Sequence, residues 1–273
     1  MIVRDAIKEA LNSYGIEYFA ILDYTVCRET NSAIVARENF TPRSIIVYLL
    51  PYYAGDTVNL SVYSSSLDYH IALKEINELL KDTVLKHFPD AGVRGYGDHS
   101  PIDERHAAIT GGLGILGDNG LIINEKYGSY IFVGDLVTDI DPSLLSADEP
   151  KGLVRCEGCG ACKRACPTGI LRGEGSDCLS AITQRKGELT DDEAKLMREN
   201  NTVWGCDLCQ SYCPHNKNPK HTPIEFFYRD RIPHLTREIL DGMTKEKFER
   251  RAFAWRKRAT IERNLDILER KEQ

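Results

Sequence analysis

The first 137 residues alternate between two hydrophobic periods, one helical and one typical of strands. Residues 1–14 predict an amphipathic helix, and the apolar residues Ile71, Ile76 and Leu80 lie at helical spacing in a second predicted helix over 68–88. Segments rich in Ile, Val, Leu and Tyr, or with strand-like alternation, predict strands over residues 17–24, 44–53, 59–64, 92–96, 121–124 and 129–137.

Two local patterns refine this picture. Pro101 suits the first position of a helix, and Asp103 three residues after Ser100 resembles a capping box, so we expect a helix that begins at Ser100. The strands over 121–124 and 129–137 are expected to pair across a turn at 125–128. Strands mixed with helices predict a layered α/β (α+β) domain over residues 1–149.

The cysteines supply the chemistry. Eight of the nine fall into two groups that each end in Cys-Pro: Cys156-x-x-Cys159-x-x-Cys162-x-x-x-Cys166-Pro167, and Cys206-x-x-Cys209-x-x-x-Cys213-Pro214 with Cys178 as its detached first member. In two-cluster proteins, the cysteine before the proline ligates the other 4Fe–4S cluster. The spacing therefore predicts cluster I on Cys156, Cys159, Cys162 and Cys213, and cluster II on Cys166, Cys178, Cys206 and Cys209.

Structural zinc and disulfides are the alternatives. Zinc sites use pairs of Cys-x-x-Cys and have no need of a third and fourth cysteine in one loop. The charged, amphipathic N-terminus predicts no signal peptide, and disulfides are rare in a reducing compartment. We therefore expect a cytoplasmic protein, and interpret the isolated Cys27 as a small buried thiol.

Charge and linker signals complete the predicted organisation. Residues 143–151 predict a linker, residues 150–219 a bacterial-ferredoxin-like domain with a helical insert near 197–201, and residues 220–273 a short helical tail. The net charge is −6, and the tail carries 14 Lys/Arg against 10 Asp/Glu. A solvated helix face and a surface for phosphates or carboxylates both fit its basic residues, which are Lys247, Arg250, Arg251, Arg256, Lys257, Arg258 and Arg263.

The glycine pattern Gly112-x-Gly114-x-x-Gly117 matches a dinucleotide-binding fingerprint in letters only. That fingerprint follows a strand and opens a helix, whereas here a helix precedes and a strand follows. A nicotinamide site is therefore not predicted. No window approaches the ~18 apolar residues that a membrane-spanning helix needs, so no membrane association is expected.

Motifs outside the cysteines occur together in one order. They are Asp68-Tyr69-His70, Gly97-Asp98-His99-Ser100-Pro101-Ile102-Asp103-Glu104-Arg105, Gly112–Asn119, Gly128-Ser129-Tyr130-Ile131-Phe132-Val133-Gly134-Asp135 and Gly205-Cys206-Asp207-Leu208-Cys209-Gln210. This order resembles the epoxyqueuosine reductase family, which is related to the reductive dehalogenases. The resemblance covers about residues 40–216, with a weaker echo over 256–265.

The resemblance implies a cobalamin-dependent reductase, whose cofactor lies between the α/β domain and the cluster domain. It implies that the clusters pass electrons to cobalt and that epoxyqueuosine in tRNA is reduced to queuosine. The family's acid falls on Asp98, although Asp98 could instead only bond to amides at the start of the following helix. Candidate contacts to cobalamin or substrate are Ser100, Glu104, Arg105, Gly117, Asn119 and Ser129.

Departures from the family keep alternatives open. Asp118 stands where a lysine is usual, and His215 replaces a tryptophan. We also expect a short form that lacks the helical-repeat domain of many members. The expected partners are epoxyqueuosine tRNA, held through the basic tail, and an electron donor of the reduced ferredoxin or flavodoxin type. The alternatives are a corrinoid reductase for another small molecule or for reactivating a corrinoid protein, and a non-catalytic electron carrier.

Overall fold

A computed structural model describes residues 2–270 of the chain. The chain divides into two compact units. The first unit comprises the described residues up to Pro51 together with His70–Gly158, and the second comprises Tyr52–Tyr69 with the described residues from Cys159 onward. The segment 52–69 therefore belongs to the second unit, whereas the sequence interpretation had put it in the first domain.

A four-stranded antiparallel sheet forms the centre of the first unit, in the order β1-β2-β6-β3. Strands β4 and β5 pair with each other in a separate two-stranded antiparallel sheet. The six strands are β1 Phe19–Asp23, β2 Ser44–Pro51, β3 Val93–Tyr96, β4 Ile115–Leu116, β5 Ile122–Ile123 and β6 Ile131–Thr138.

Strand β2 is buried along its whole length, which explains why its sequence is an almost unbroken apolar run. Its Tyr48 lies opposite Gly134 of β6, and a Cβ atom on Gly134 would lie 2.4 Å from the Tyr48 ring. Gly134 therefore lets a buried aromatic ring lie directly across the strand. Ala107 and Ala108 of helix α4 (Glu104–Thr110) pack with Val47 and Leu49 into one core.

Most of the helices and strands predicted for the first unit are present in the structure. The predicted helices over 1–14 and 68–88 are present, as are the strands predicted over 17–24, 44–53 and 92–96. The α-helices of this unit's described residues are α1 Val3–Ser13, α2 Ser32–Val35, α3 Tyr69–Leu85 and α4 Glu104–Thr110.

Three local predictions are wrong. Residues 59–64 form no strand but lead into a 3-10 turn at Val62–Ser64. Helix α4 begins at Glu104 with Asp103 as its N-cap, because Asp103 rather than Ser100 accepts the His106 N–H, at 3.2 Å. Strand β5 pairs with β4, and β6 pairs with β2 and β3, so the expected 121–124/129–137 pair is reduced to one bridge at Asn124 and Gly128.

The predicted linker over 143–151 is bonded to the first unit. The Asp148 N–H donates to the Ile21 carbonyl at 2.6 Å, and the Lys151 N–H donates to the Thr110 carbonyl at 2.7 Å. The Asp148 carboxylate also accepts bonds from Arg4. These bonds make the segment part of the unit, although its polar composition suggested a linker.

Helices and turns build the second unit. Its helices are α5 Ala161–Ala165, α6 Leu179–Gln184, α7 Asp191–Glu199, α8 Leu208–Ser211, α9 Arg237–Asp241, α10 Lys245–Glu249 and α11 Arg258–Glu269. The predicted insert is helix α7, which opens with a full capping box between Thr190 and Glu193.

Residues 220–270 are built into the core of this unit. Leu235, Phe253 and Ile261 pack with the fully buried Trp204 and with Leu60 from the 52–69 segment. The helices predicted for this segment are present, and the segment contributes to the core of the unit. Among the described residues, no helix has the length and apolar character needed to cross a membrane.

Candidate functional site

The cysteine loops of the second unit lie on short helices. Cys162 is on α5, Cys166 ends that helix, and Cys209 is on α8, which packs against α5. Cys178 lies immediately before α6. Short helices that end at Cys166-Pro167 and just before Cys213-Pro214 suit loops that must turn their thiols inward rather than extend.

Three cysteines that the spacing assigns to cluster II are electrostatic neighbours. The pKa of the Cys206 thiol is raised to about 11, mainly by burial and against a bond from the Leu208 backbone, and the nearby Cys178 and Cys166 contribute to the rise. At Cys166, burial opposes ionisation, but bonds from Leu171, Thr168 and Gly169 outweigh it and lower the pKa. The structure thus brings the last cysteine of the first loop to two cysteines of the second group.

Backbone geometry shapes the first loop. Gly158 and Gly160 have φ angles of +69° and +72°, a left-handed conformation that side chains other than glycine rarely adopt. The Cys156 N–H donates to the Leu116 carbonyl at 3.0 Å, which fixes the start of the loop on strand β4. These φ angles are the physical reason for glycine at both positions.

All nine cysteines lie in the described part of the chain, and no disulfide joins any of them. Within residues 2–270, no three His, Cys, Asp or Glu side chains are grouped to hold a single metal ion. A 4Fe–4S cluster makes a different demand, since its four cysteine thiolates bind a cluster rather than converging on one ion.

Asp207 anchors the second cysteine group. Its carboxylate accepts bonds from Ser61 Oγ at 2.9 Å, from the Val62 N–H at 2.6 Å and from Gln210 Nε2 at 3.1 Å. Burial raises the pKa of Asp207, and these three donors act against that rise. The side chain lies between Cys206 and Cys209 in sequence, so its bonds fix the backbone from which both thiols project.

A cleft of about 410 Å³ opens in the first unit, and it gathers four of the predicted site residues. Asp98, Glu104, Arg105 and Ser129 all line it. Its other walls are mainly apolar and include Ile102, Ile122, Ile131, Phe132 and Val133. The cleft therefore combines apolar walls with a few polar groups, the usual composition of a small-molecule or cofactor site.

Asp98 holds an unusual backbone conformation at this cleft. Its φ angle is +63°, and its side chain is 48% exposed. Asp98 Oδ2 lies 3.3 Å from His70 Nε2, and the Asp98 N–H donates to Glu104 Oε1 at 3.1 Å. Asp98 does not bond as the N-cap of α4, because Asp103 has that role.

Beneath the cleft lies a pair of carboxyls. Asp135 is fully buried, and burial raises its pKa to about 7. Burial, together with the charge of Asp135, raises the pKa of Glu104 to about 9. The two carboxyls are within hydrogen-bonding reach of each other. Such a pair bonds only when one carboxyl keeps its proton.

The remaining predicted residues lie around this pair and its cleft. The Ser100 hydroxyl donates to Asp135 Oδ2 at 3.1 Å. Gly117 and Asn119 lie in the turn between β4 and β5, where the Leu121 N–H donates to Asn119 Oδ1 at 3.3 Å. This turn reaches the cleft through Arg105, whose guanidinium donates to the Gly120 carbonyl at 3.1 Å. Three of the six candidate contacts thus line the cleft, Ser100 bonds to the buried acid beneath it, and Gly117 and Asn119 lie in a turn bonded to Arg105.

Asp135 is the residue that sequence reasoning missed. It ends the motif Gly128–Asp135, but an acid in a strand gives no sign of which face it points to or what lies beside it. The available signal was its position as the single acid in an otherwise apolar strand, since an acid is almost never fully buried unless it is paired.

The family model for the 4Fe-4S double cluster binding domain matches residues 155–216, which contain all eight clustered cysteines. The chain is thus a two-cluster iron–sulfur protein with an antiparallel α+β unit that carries a carboxyl-lined cleft. Among curated proteins, the chain is 32% identical over 239 residues to the epoxyqueuosine reductase of Leadbetterella byssophila, covering 84% of this chain and 75% of that one. The chain belongs to the epoxyqueuosine reductase family.

The chain matches only part of a second relative. The epoxyqueuosine reductase of Listeria monocytogenes is 31% identical over 221 residues, which is 75% of this chain and 55% of that protein. The chain therefore matches little more than half the length of that relative.

Solved structures share the fold. The epoxyqueuosine reductase of Streptococcus thermophilus superposes with a TM-score of 0.79 at 23% identity, covering 98% of this chain and 81% of that one. An epoxyqueuosine reductase bound to an epoxyqueuosine-modified stem loop of a tyrosine tRNA gives a TM-score of 0.78 at 23% identity, covering 97% and 80%. The predicted fold class is confirmed.

Proposed function

We propose that this chain reduces epoxyqueuosine to queuosine in tRNA, using two 4Fe–4S clusters and cobalamin. Membership of the family supports the reaction. The observation that supports a role for particular residues is the cleft of the first unit, which is lined by Asp98, Glu104, Arg105 and Ser129. A non-catalytic electron carrier would not need such a cleft.

Asp98 is the proposed acid at the epoxide oxygen. Opening the ring places negative charge on that oxygen, and a positioned carboxylic acid lowers the barrier by giving it a proton. Asp98 lines the cleft with a half-exposed side chain, so it can meet a substrate and recover its proton from solvent. The Glu104 carboxyl holds the Asp98 backbone, and His70 contacts the Asp98 carboxyl.

The composition of the cleft suits one face of a corrin. A corrin is flat and largely apolar with amide groups at its edge, and the cleft offers Ile131, Phe132 and Val133 as apolar wall with Ser129 and Arg105 as hydrogen-bonding groups. When bound, cobalamin supplies a strongly reducing cobalt centre. Gly117 and Asn119 would contact its edge from the β4–β5 turn, and Ser100 would act through Asp135.

We propose the cluster ligands as the spacing assigns them. Cys156, Cys159, Cys162 and Cys213 hold cluster I, and Cys166, Cys178, Cys206 and Cys209 hold cluster II. The neighbouring Cys166, Cys178 and Cys206 support the second set. A donor of the reduced ferredoxin or flavodoxin type supplies the electrons, and a tRNA substrate places the protein in the cytoplasm.

The basic segment over residues 220–270 is the proposed phosphate-binding surface, with a narrower set of residues than the sequence suggested. Arg251 is buried and donates to the Asp230 carbonyl at 2.6 Å, and Arg263 donates to the Arg185 carbonyl at 2.8 Å. Lys247, Arg250 and Lys257 are exposed. Phosphate contacts through these three predict that tRNA affinity falls with rising salt.

The experiment that tests this function has two parts. The anaerobic, cluster-reconstituted chain is titrated with cobalamin and followed by visible absorption, and the loaded protein is then given epoxyqueuosine-containing tRNA and a low-potential reductant. Cobalamin binding with formation of queuosine supports the proposal. Two intact clusters without any spectral change on titration would instead identify an electron carrier.

Asp118 favours a second candidate, a corrinoid reductase acting on another small molecule or reactivating a corrinoid protein. Asp118 lies in the β4–β5 turn where the family pattern has lysine. A negative aspartate would repel a phosphate that a lysine at this position would attract. Cobalamin binding without turnover of epoxyqueuosine tRNA would favour this candidate. Asp118→Lys would then be the variant in which tRNA turnover is sought.

A further inference from the structure

We propose that Glu104 and Asp135 share one proton at the floor of the cleft, and that this proton is the second of the two that the reduction consumes. The inference rests on the proposed function, in which Asp98 gives the first. Removing an epoxide oxygen as water breaks two carbon–oxygen bonds and takes up two electrons and two protons. The electrons come from the donor through the clusters, and a carbon–carbon double bond remains.

The geometry of Asp135 requires a proton at this pair. Asp135 is fully buried, and its Oδ2 atom accepts a bond from the Ser100 hydroxyl at 3.1 Å. Its Oδ1 atom is buried without a hydrogen-bond partner among the described residues. A buried carboxylate oxygen without a donor is costly, and a proton shared with the adjoining Glu104 carboxyl removes that cost.

Glu104 connects this proton to the reaction site. It lines the same cleft as Asp98, and its Oε1 atom accepts the Asp98 N–H at 3.1 Å. One side chain therefore bonds to the buried carboxyl, fixes the backbone of the proposed acid and faces the substrate space. Glu104 is a positioning residue for Asp98 and the outlet for the shared proton.

The groups that face the pair leave its proton in place at neutral pH. Tyr24, Cys27, Tyr48 and Tyr96 all experience the field of Asp135, and burial raises the pKa of each of them. They are thus neutral at pH 7 and do not compensate a second negative charge. The other charged groups that line the cleft are Asp98, Asp103 and Arg105, and the Arg105 guanidinium donates to the Gly120 carbonyl.

The test uses the cluster- and cobalamin-loaded full chain and its Glu104→Gln and Asp135→Asn variants. Infrared spectra at neutral pH, without substrate, should show a protonated-carboxyl band in the wild type that disappears in Glu104→Gln. With epoxyqueuosine tRNA, wild-type turnover should fall as the pH rises through about 9, where Glu104 gives up the shared proton. Glu104→Gln should lose about 100-fold in turnover, typical of a missing proton donor.

Two controls separate this role from a structural one. Asp135→Asn removes the charge that raises the pKa of Glu104, so it should move the alkaline fall in turnover to lower pH, which misfolding would not do. Glu38→Gln makes the same carboxyl-to-amide change in the first unit at a residue bonded to Tyr96, outside the cleft lining, and should leave the band and the pH profile unchanged.

Each outcome decides one part. A wild type without the infrared band overturns the shared proton whatever the substrate is. A band combined with full turnover and an unchanged pH profile in Glu104→Gln overturns its delivery to the reaction. A band in a wild-type protein that leaves epoxyqueuosine unreduced refutes the proposed function and upholds the shared proton.

Discussion

Glu104 Oε1 accepts a hydrogen bond from the backbone N–H of Asp98 at 3.1 Å, and this bond holds Asp98 in a left-handed conformation. A non-glycine residue in that region costs about 1–2 kcal/mol, although Asp and Asn tolerate it best. The bond therefore stabilises a conformation that presents the Asp98 side chain to the cleft and to His70.

Asp98→Asn tests the role of the acid alone. Asparagine keeps the left-handed backbone and the N–H that bonds to Glu104, but it cannot give up a proton. Turnover of epoxyqueuosine tRNA should fall by about 10²- to 10⁴-fold. The cobalamin titration and the unfolding midpoint in denaturant should stay at wild-type values, and unchanged turnover would remove Asp98 from the mechanism.

Stability should depend on pH through Glu104 and Asp135. Both carboxyls have pKa values raised by burial, to about 9 and about 7, against ordinary values near 4 in the unfolded chain. Their contribution to stability is therefore complete below about pH 4 and is lost as the pH rises through about 7 and about 9. Denaturant titrations of wild type and Glu104→Gln across this range should show a smaller alkaline loss in the variant.

The cysteine assignment predicts which cluster each replacement removes. Cys166→Ala should abolish the cluster held with Cys178 and Cys206, so iron content should fall to about half and one set of reduced-cluster EPR signals should remain. Cys27→Ala is the matched control, because burial raises the pKa of this thiol to about 12 and keeps it protonated. Iron loss in the Cys27 variant would contradict the assignment.

Asp207 should stabilise the second unit through the hydrogen bonds that its carboxylate accepts. Asp207→Ala leaves the Val62 N–H and the Ser61 hydroxyl without their acceptor, at about 1–3 kcal/mol for each buried group left unsatisfied. Unfolding should shift to lower denaturant, and less iron should be retained after reconstitution. Asp207→Asn keeps a carbonyl oxygen and should lose less on both measures.

The C-terminal helices should prove essential to folding. Phe253 is fully buried against Trp204, at a ring-centroid distance of 6.3 Å, so Phe253→Ala should destabilise the second unit by about 3–5 kcal/mol. Trp255 is 57% exposed, and Trp255→Ala provides the comparison in the same segment, with a smaller loss expected. Equal effects in denaturant unfolding would show that the segment is not part of the core.

Several elements could be predicted because their causes are local. Helix α3 and strand β2 follow from apolar spacing, since 3.6-residue and strand-like patterns are written into the chain. The start of α4 could not be placed, because Ser100 and Asp103 both suit an N-cap and only the bond from Ser100 to Asp135 decides between them. The prediction of strand pairing was wrong for a similar reason, because β6 pairs with β2 and β3, which are distant from it in the chain.

The sequence by itself determined the cofactor chemistry, because thiolate ligands must recur at fixed short spacings and those spacings survive in the letters from Cys156 to Cys213. It also determined the family, through motifs that occur in a fixed order. Only the tertiary structure decided that Glu104 adjoins Asp135 and that Lys247 is exposed while Arg251 is buried. A carboxyl's proton affinity depends on burial and on neighbours distant in the chain, and these exist only once the chain has folded.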